Sequence, residues 1–340
     1  MIPLSTSTLK TESWQRQLAD AFNRVEDLLA YLELSDRLEP SMKVASRSFG
    51  FRVTRFFASL MEKGNPDDPL LRQVLPMAAE LEDTPGFSTD PLEDQAAHQG
   101  NGLLRKYHGR ALLITTGACA INCRYCFRRH FPYTEHLASP ARWHSLLRQL
   151  RNDVDISEVI LSGGDPLSLG NSRLGALIEQ LQLIPHLKRL RIHSRLPVVL
   201  PQRLDHGLAE ILDGCRLPAS LVLHINHPGE ISTELVQALM PLRRQGVILL
   251  NQAVLLRGVN DSAEIQIRLA EDLFQAGVLP YYLHQLDRVR GAAHFAVEDE
   301  RATTLHQAMQ TRLPGYLLPR LVREIPGARS KLALPLSQNE

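Results

Sequence analysis

From Arg110 onward the 340-residue chain keeps one rhythm, a short apolar run followed by an amphipathic stretch. The apolar runs fall at 111–115, 158–162, 190–194, 221–226, 247–256 and 279–285, with helical patterns such as 140–151 and 172–183 between them. A strand followed each time by a helix returns by a crossover, and such crossovers are right-handed and lay the strands parallel. Six units predict an α/β fold, a partial (β/α)6 barrel rather than a closed eight-fold one. In barrels of this kind the chemistry collects at the C-terminal ends of the strands. The polar motifs obey that geometry. A cysteine-rich loop follows the first run, and Ser162-Gly163-Gly164-Asp165 follows the second. His193-Ser194-Arg195, His224-Ile225-Asn226-His227, Asn251-Gln252 and His284-Gln285-Leu286-Asp287 end or sit within the later ones.

Residues 1–105 read differently, as a mainly helical accessory region with patterned stretches at 14–34 and 48–60 and turn-rich segments behind them; residues 106–340 form the main domain. Lys+Arg minus Asp+Glu is 38 − 37 = +1, so no global charge points to nucleic acid or to a membrane surface. The N-terminus has no signal-peptide pattern and no apolar run approaches membrane-spanning length. Four cysteines, three of them clustered, do not form a disulfide framework, and a reducing cytoplasm is expected.

Those three lie in Cys119-Ala-Ile-Asn-Cys123-Arg-Tyr125-Cys126. Three thiolates within eight residues can wrap a metal centre. An iron–sulfur cube ordinarily takes four cysteines, so three leave one iron open to another ligand. A structural zinc site, with His130 as fourth ligand, is the competing reading, although such sites usually draw on a second, distant cysteine pair, and none is present. Cys215 is either a fourth ligand or an ordinary part-buried thiol.

The Cys-x3-Cys-x2-Cys spacing, with an aromatic before the last cysteine, resembles the cluster loop of radical S-adenosylmethionine (SAM) enzymes. In that family the open iron of a [4Fe–4S] cluster chelates SAM, and a supplied electron cleaves it to a 5′-deoxyadenosyl radical. The resemblance implies that Tyr125 and Ser162-Gly163-Gly164-Asp165 bind SAM, the glycines letting the backbone approach the ligand.

Further stretches resemble one branch of that family, the lysine 2,3-aminomutases, which also use pyridoxal 5′-phosphate (PLP). They are Tyr107-His-Gly-Arg110, Cys126-Phe-Arg128-Arg129, 194–203, 224–228, 251–261 and 323–331. The resemblance covers roughly 100–335. It implies that Lys331, in Pro326-Gly327-Ala-Arg-Ser-Lys331, carries PLP covalently, in a short C-terminal segment whose loop has fewer glycines than is usual in the family. Tyr107 and Arg110 would hold the cofactor phosphate. Arg128 would hold the substrate carboxylate, a role suited to a planar guanidinium. Asp287 and Glu324 would hold the ε-ammonium of L-lysine, Glu324 standing where the family has a shorter acid.

The absence of a long cysteine-bearing tail, together with 126–133, is similar to the branch that makes (R)-β-lysine for modification of elongation factor P, to which a separate ligase attaches it. The expected activity is an intramolecular amino-group transfer, an isomerase reaction that needs a reducing electron donor. Two alternatives stand beside it: a free amino-acid 2,3-aminomutase of secondary metabolism, and a non-catalytic metal-binding scaffold.

Overall fold

The computed structural model describes residues 13–136, 138 and 140–334. Their strands form one open sheet in sequential order: β1 (Leu103–Leu104), β2 (Arg110–Thr116), β3 (Glu158–Gly163), β4 (Arg189–Ser194), β5 (Ala219–Leu223), β6 (Ile248–Val254), β7 (Leu279–His284), β8 (Arg320–Arg323) and β9 (Leu332–Ala333). β2 through β8 run parallel, while β1 and β9 close the two edges as short antiparallel partners. Helices Pro140–Asn152, Asn171–Gln182, His206–Asp213, Thr233–Arg244, Ala263–Gln275 and Asp299–Gln310 cross over between the parallel strands.

The six expected strand–helix units are therefore present in an open barrel. The sequence did not disclose β8. Its four residues, Arg-Leu-Val-Arg, are too few and too charged at both ends to give a periodic signal.

Local chemistry starts the crossover helices where the pattern changes. The side chains of Asp205, Ser232 and Ser262 accept hydrogen bonds from the backbone N–H groups of Leu208 (2.8 Å), Leu235 (3.1 Å) and Ile265 (3.2 Å). Each thereby satisfies one of the donors that a helix start leaves open.

Strand pleating then sorts the side chains. Ala111, Leu113, Val159, Leu161, Leu190 and Ile192 are buried in the main apolar core. Their neighbours Leu112, Ile160, Arg191 and His193 point to the other face and line an internal cavity of about 570 Å³.

The N-terminal region is built from short helices, Trp14–Ala19, Val25–Tyr31, Pro40–Ser48, Arg55–Ser59 and Pro69–Arg72. The two longer helical stretches expected here are interrupted at partner positions. Phe22 N–H donates to Val53 O at 2.8 Å and Val53 N–H to Phe22 O at 3.0 Å, an antiparallel bridge that helical backbone cannot make. Leu28, Leu29, Leu32, Val53 and Phe57 belong to the same buried cluster as Leu113, Leu161 and Leu223, so this region and the barrel share one core. Among the described residues no helix is long and apolar enough to cross a membrane.

Candidate active site

The cysteine loop begins where β2 slips against β3. The register shifts between Ile114 and Thr116, a bulge that turns the chain out over the C-terminal rim. Arg124, inside the loop and fully buried, pins it to the N-terminal region. Its guanidinium donates to Glu80 Oε1 (2.8 Å), Phe49 O (2.9 Å), Gly50 O (3.1 Å) and Ala45 O (3.2 Å), and Glu80 also takes Arg129 Nη2 at 2.7 Å. The loop backbone is held likewise, with Asn122 N–H on Arg52 O and Arg124 N–H on Gln73 O.

The second loop is pressed against the first. Gly164 N–H donates to Thr116 O at 2.6 Å and Asp165 N–H to Ala118 O at 2.8 Å. Gly163 has φ +124°, and a Cβ there would stand 2.6 Å from Thr116 O. A Cβ on Gly164 would collide with the Gly117 and Ala118 backbone. Glycine at both places is thus the condition for the two loops to meet. Gly163 O accepts from Tyr133 Oη at 2.8 Å. The Asp165 carboxylate is engaged internally, accepting from Ser194 Oγ (2.7 Å) and from the N–H groups of Arg195 (2.8 Å), Leu196 (2.8 Å) and Leu167 (3.0 Å). Asp165 thereby fixes the shape of the loop.

Cys119, Cys123 and Cys126 all line the cavity. Burial and the neighbouring Cys126 and Cys123 thiolates push the Cys119 thiol well up, and burial and Cys123 push Cys126 up to about 11. Crowded thiolates that destabilise one another are what a cationic metal centre relieves. Among the described residues no three His, Cys, Asp or Glu side chains converge tightly enough to hold a single metal ion. His130 does not line the cavity; its Nε2 lies 3.3 Å from Arg290 O. The donor set therefore fits a multi-iron cube, in which each thiolate takes its own iron, better than one zinc ion. Cys215 lies away from the cavity, packed against the main core.

At the far end of the sheet, β8 and β9 form a hairpin through Pro326-Gly327, with Glu324 leaving one strand and Lys331 entering the other. Lys331 Nζ ion-pairs with Glu324 Oε2, and it stands 5.9 Å from the Tyr282 ring centroid. Glu324 also takes Lys106 Nζ at 3.1 Å. Burial opposes its charge, but Lys331 and Lys106 hold its carboxyl at about 2. Asp287 is the reverse: burial, then the nearby Glu324 carboxylate, push it up to about 7. Arg110 lies over the Tyr107 ring at 5.5 Å. Arg128 Nε donates to Asp94 Oδ2 at 2.7 Å and Nη1 to Ser162 Oγ at 3.2 Å.

The cavity thus gathers the side chains and loops to which the resemblance assigns a cofactor or substrate role: the three cysteines, Tyr125, Ser162 to Asp165, Tyr107, Arg110, Arg128, Asp287, Glu324 and Lys331. It also brings in residues of the strand-end motifs to which the resemblance gave no role, and joins them to residues that pattern reading did not select. Arg195 donates to Cys123 Sγ (3.1 Å), Gln73 Oε1 (2.8 Å), Glu230 Oε2 (3.2 Å) and the Tyr125 hydroxyl. Asn226 Nδ2 reaches Gln73 Oε1 (2.9 Å) and Tyr125 Oη (2.6 Å). Tyr125 is thereby fixed beside the cysteines. His193, His224 and His284 face the same space. Burial holds all three well below the usual imidazole range, the latter two at about 3, so they stand neutral. Asp94 and Lys106 complete the lining. The terminal positions of strands were a usable signal for the histidines; none existed for Gln73 or Asp94, which arrive from the N-terminal region.

An open parallel β/α sheet, with three cysteines on the loop after its first parallel strand and a glycine pair packed behind them, defines a radical SAM protein. Residues 113–267 match the Radical SAM superfamily, a class that implies a [4Fe–4S] cluster and SAM. The chain is 49% identical to the L-lysine 2,3-aminomutase of Escherichia coli (strain K12) over 98% of its own length and 97% of that protein's. It is 45% identical to the Haemophilus influenzae L-lysine 2,3-aminomutase, over 97% and 98% of the two chains. The Clostridium subterminale L-lysine 2,3-aminomutase matches at 34%, over 94% of this chain and 76% of its own. Among solved structures, a radical SAM methyltransferase from Sphaerobacter thermophilus superposes at 17% identity and a TM-score of 0.48, covering 65% of this chain and 68% of its own. The chain belongs to the L-lysine 2,3-aminomutase family of radical SAM isomerases.

Proposed function

We propose that this isomerase converts L-lysine to β-lysine with PLP carried on Lys331, and that the product serves modification of elongation factor P. One observation carries the reading. The cysteines, the glycine loop, an arginine, two acids and a lysine from opposite ends of the chain all face one cavity of about 570 Å³, within the usual size of a site for small ligands.

The residues fit both groups. For the cluster and SAM, the three thiolates would supply the ligands, and the side-chain-free backbone of Gly163 and Gly164 at the cavity wall would allow the close approach. For PLP, Lys331 supplies the amine, while Tyr107, Arg110 and Arg320 line the same cavity and offer a phosphate its hydrogen bond and positive charge. When bound, the cluster and SAM supply a carbon-centred radical, and PLP supplies the π-system through which an amino group migrates.

The chain's own residues do the rest. Arg128, braced by Asp94 and Ser162, presents its guanidinium to the substrate carboxylate. Asp287 and Glu324 receive the ε-ammonium; two acids around one cation favour lysine over an uncharged amino acid. The neutral histidines and the apolar wall of Leu112, Ile160 and Val254 keep a reactive radical away from water and from stray proton transfer. The elongation factor P assignment rests on the likeness of 126–133 to that branch. A reducing electron donor and a cytoplasmic location accompany it, both suited to unpaired thiols.

Borohydride reduction of the PLP-loaded protein followed by peptide mapping tests the cofactor assignment. A phosphopyridoxyl group on Lys331 is expected, and the same label on another lysine overturns it. Supplying the ligase and elongation factor P tests the purpose: β-lysyl factor is expected, and a factor left unmodified while free β-lysine accumulates overturns that part.

A further inference from the structure

Between the arginine that faces the substrate carboxylate and the acid that faces its ammonium lie two charged residues that the proposed chemistry leaves out of contact with the substrate: Asp94, which braces Arg128, and Lys106, which has no role in it. Asp94, 2% exposed, comes from the N-terminal region, where Asp90 Oδ1 caps its backbone N–H at 3.0 Å. Its Oδ2 takes Arg128 Nε at 2.7 Å, and its Oδ1 stands 2.5 Å from Lys106 Nζ. Lys106 Nζ continues to Glu324 Oε1 at 3.1 Å and donates to Leu92 O at 2.9 Å. Glu324 then pairs with Lys331. The cavity wall therefore carries a line of alternating charge, Arg128, Asp94, Lys106, Glu324, Lys331.

We infer that Asp94 and Lys106 form an electrostatic bridge that sets the balance of affinity between the carboxylate end and the ammonium end of the substrate site. Each member of the bridge partly neutralises a recognition group. Asp94 draws on the charge of Arg128 and so weakens its hold on a carboxylate. Lys106 draws on Glu324 and so weakens its hold on an ammonium. Because Asp94 and Lys106 also neutralise each other, neither end is fully discounted, and neither end alone binds strongly. A molecule that presents both charges, as lysine does, is favoured over one that presents a single charge. The pair acts through Arg128 and Glu324 and is a positioning and specificity element, with no contact of its own to reacting atoms.

The inference rests on the proposed orientation of lysine and predicts a crossing of signs that structural damage cannot produce. Two probes separate the ends: norleucine, which has the α-carboxylate and lacks the terminal ammonium, and cadaverine, which has the ammonium and lacks the carboxylate. Their dissociation constants are measured by anaerobic calorimetry on the holoenzyme. Lys106→Met removes the cation beside Glu324 and leaves Asp94 wholly to Arg128. Cadaverine is expected to bind more tightly and norleucine more weakly, each by roughly fivefold or more. Asp94→Asn does the opposite, tightening norleucine and weakening cadaverine. Lys106→Arg restores both constants to near the wild-type values.

If both probes weaken together in both variants, the bridge is refuted while the lysine assignment stands. If wild-type holoenzyme binds lysine with neither probe competing for the cavity, the orientation fails and the bridge falls with it.

Discussion

Replacing Gly164 by alanine adds one methyl group where the two catalytic loops meet. The new Cβ would lie 2.8 Å from Gly117 C and 2.9 Å from Ala118 C, with Ala118 O nearer still. All three are backbone atoms of the loop connecting β2 to Cys119, so no side chain can swing aside. Ordinary contact needs about 3.5 Å, and the loops must part by about 0.7 Å or more. Overpacking of this kind costs about 1–3 kcal/mol, which a domain of this size survives. A cluster site does not, because its ligands must be held within about 0.5 Å. Gly164→Ala is expected to remain folded by circular dichroism, with a modest loss in Tm, and to take up far less iron on anaerobic reconstitution. Gly315→Ala, with nothing within 4 Å of the added Cβ, is the control and should match the wild type. Full iron content and an unchanged visible spectrum in Gly164→Ala would refute the claim that the glycine pair positions the cysteine loop.

Three further outcomes follow from the same geometry. Glu80→Gln strips Arg124 and Arg129 of a shared, buried carboxylate, and urea unfolding should show a loss of about 3–5 kcal/mol together with poorer iron binding. Asp287 holds its proton up to about pH 7 in the folded protein, against an ordinary value of 3.8. The unfolded chain binds fewer protons in that window, so this carboxyl lowers stability as pH rises from about 4 to about 7, and Asp287→Asn should flatten that part of the urea-midpoint profile. Cys215→Ala should bind iron as the wild type does, and a lost or altered cluster spectrum would make Cys215 a ligand after all.

The convergence of the polar motifs on one rim was legible because they sit at the ends of apolar runs, where parallel β/α chains place their chemistry. Cys119, Gly163 and His284 are readable in that way from local context alone. Asn251-Gln252 shows the limit of such reading: both are polar on one strand, yet only Gln252 lines the cavity. Asn251 instead brackets the Ile225 peptide, accepting from its N–H at 2.9 Å and donating to its oxygen at 3.0 Å. Strand alternation decides between them, and the register was needed to know which way each pointed. Gln73, Asp94 and Glu230 were invisible for another reason. The arginines they engage, Arg195 for Gln73 and Glu230 and Arg128 for Asp94, are more than thirty residues away in sequence, and nothing local announces those pairings. The N-terminal helices misled through the Phe22–Val53 bridge, a tertiary pairing that overrode two helical patterns at once.

The central claim, that one cavity joins radical generation to a lysine site, is tested most directly by product analysis. Anaerobically reconstituted and reduced protein is given SAM, PLP and L-lysine, and mass spectrometry follows β-lysine and 5′-deoxyadenosine. The account predicts β-lysine from the wild type and none from Cys123→Ala or Lys331→Ala. SAM cleavage with lysine left untouched, in protein that carries both iron and PLP, would contradict it.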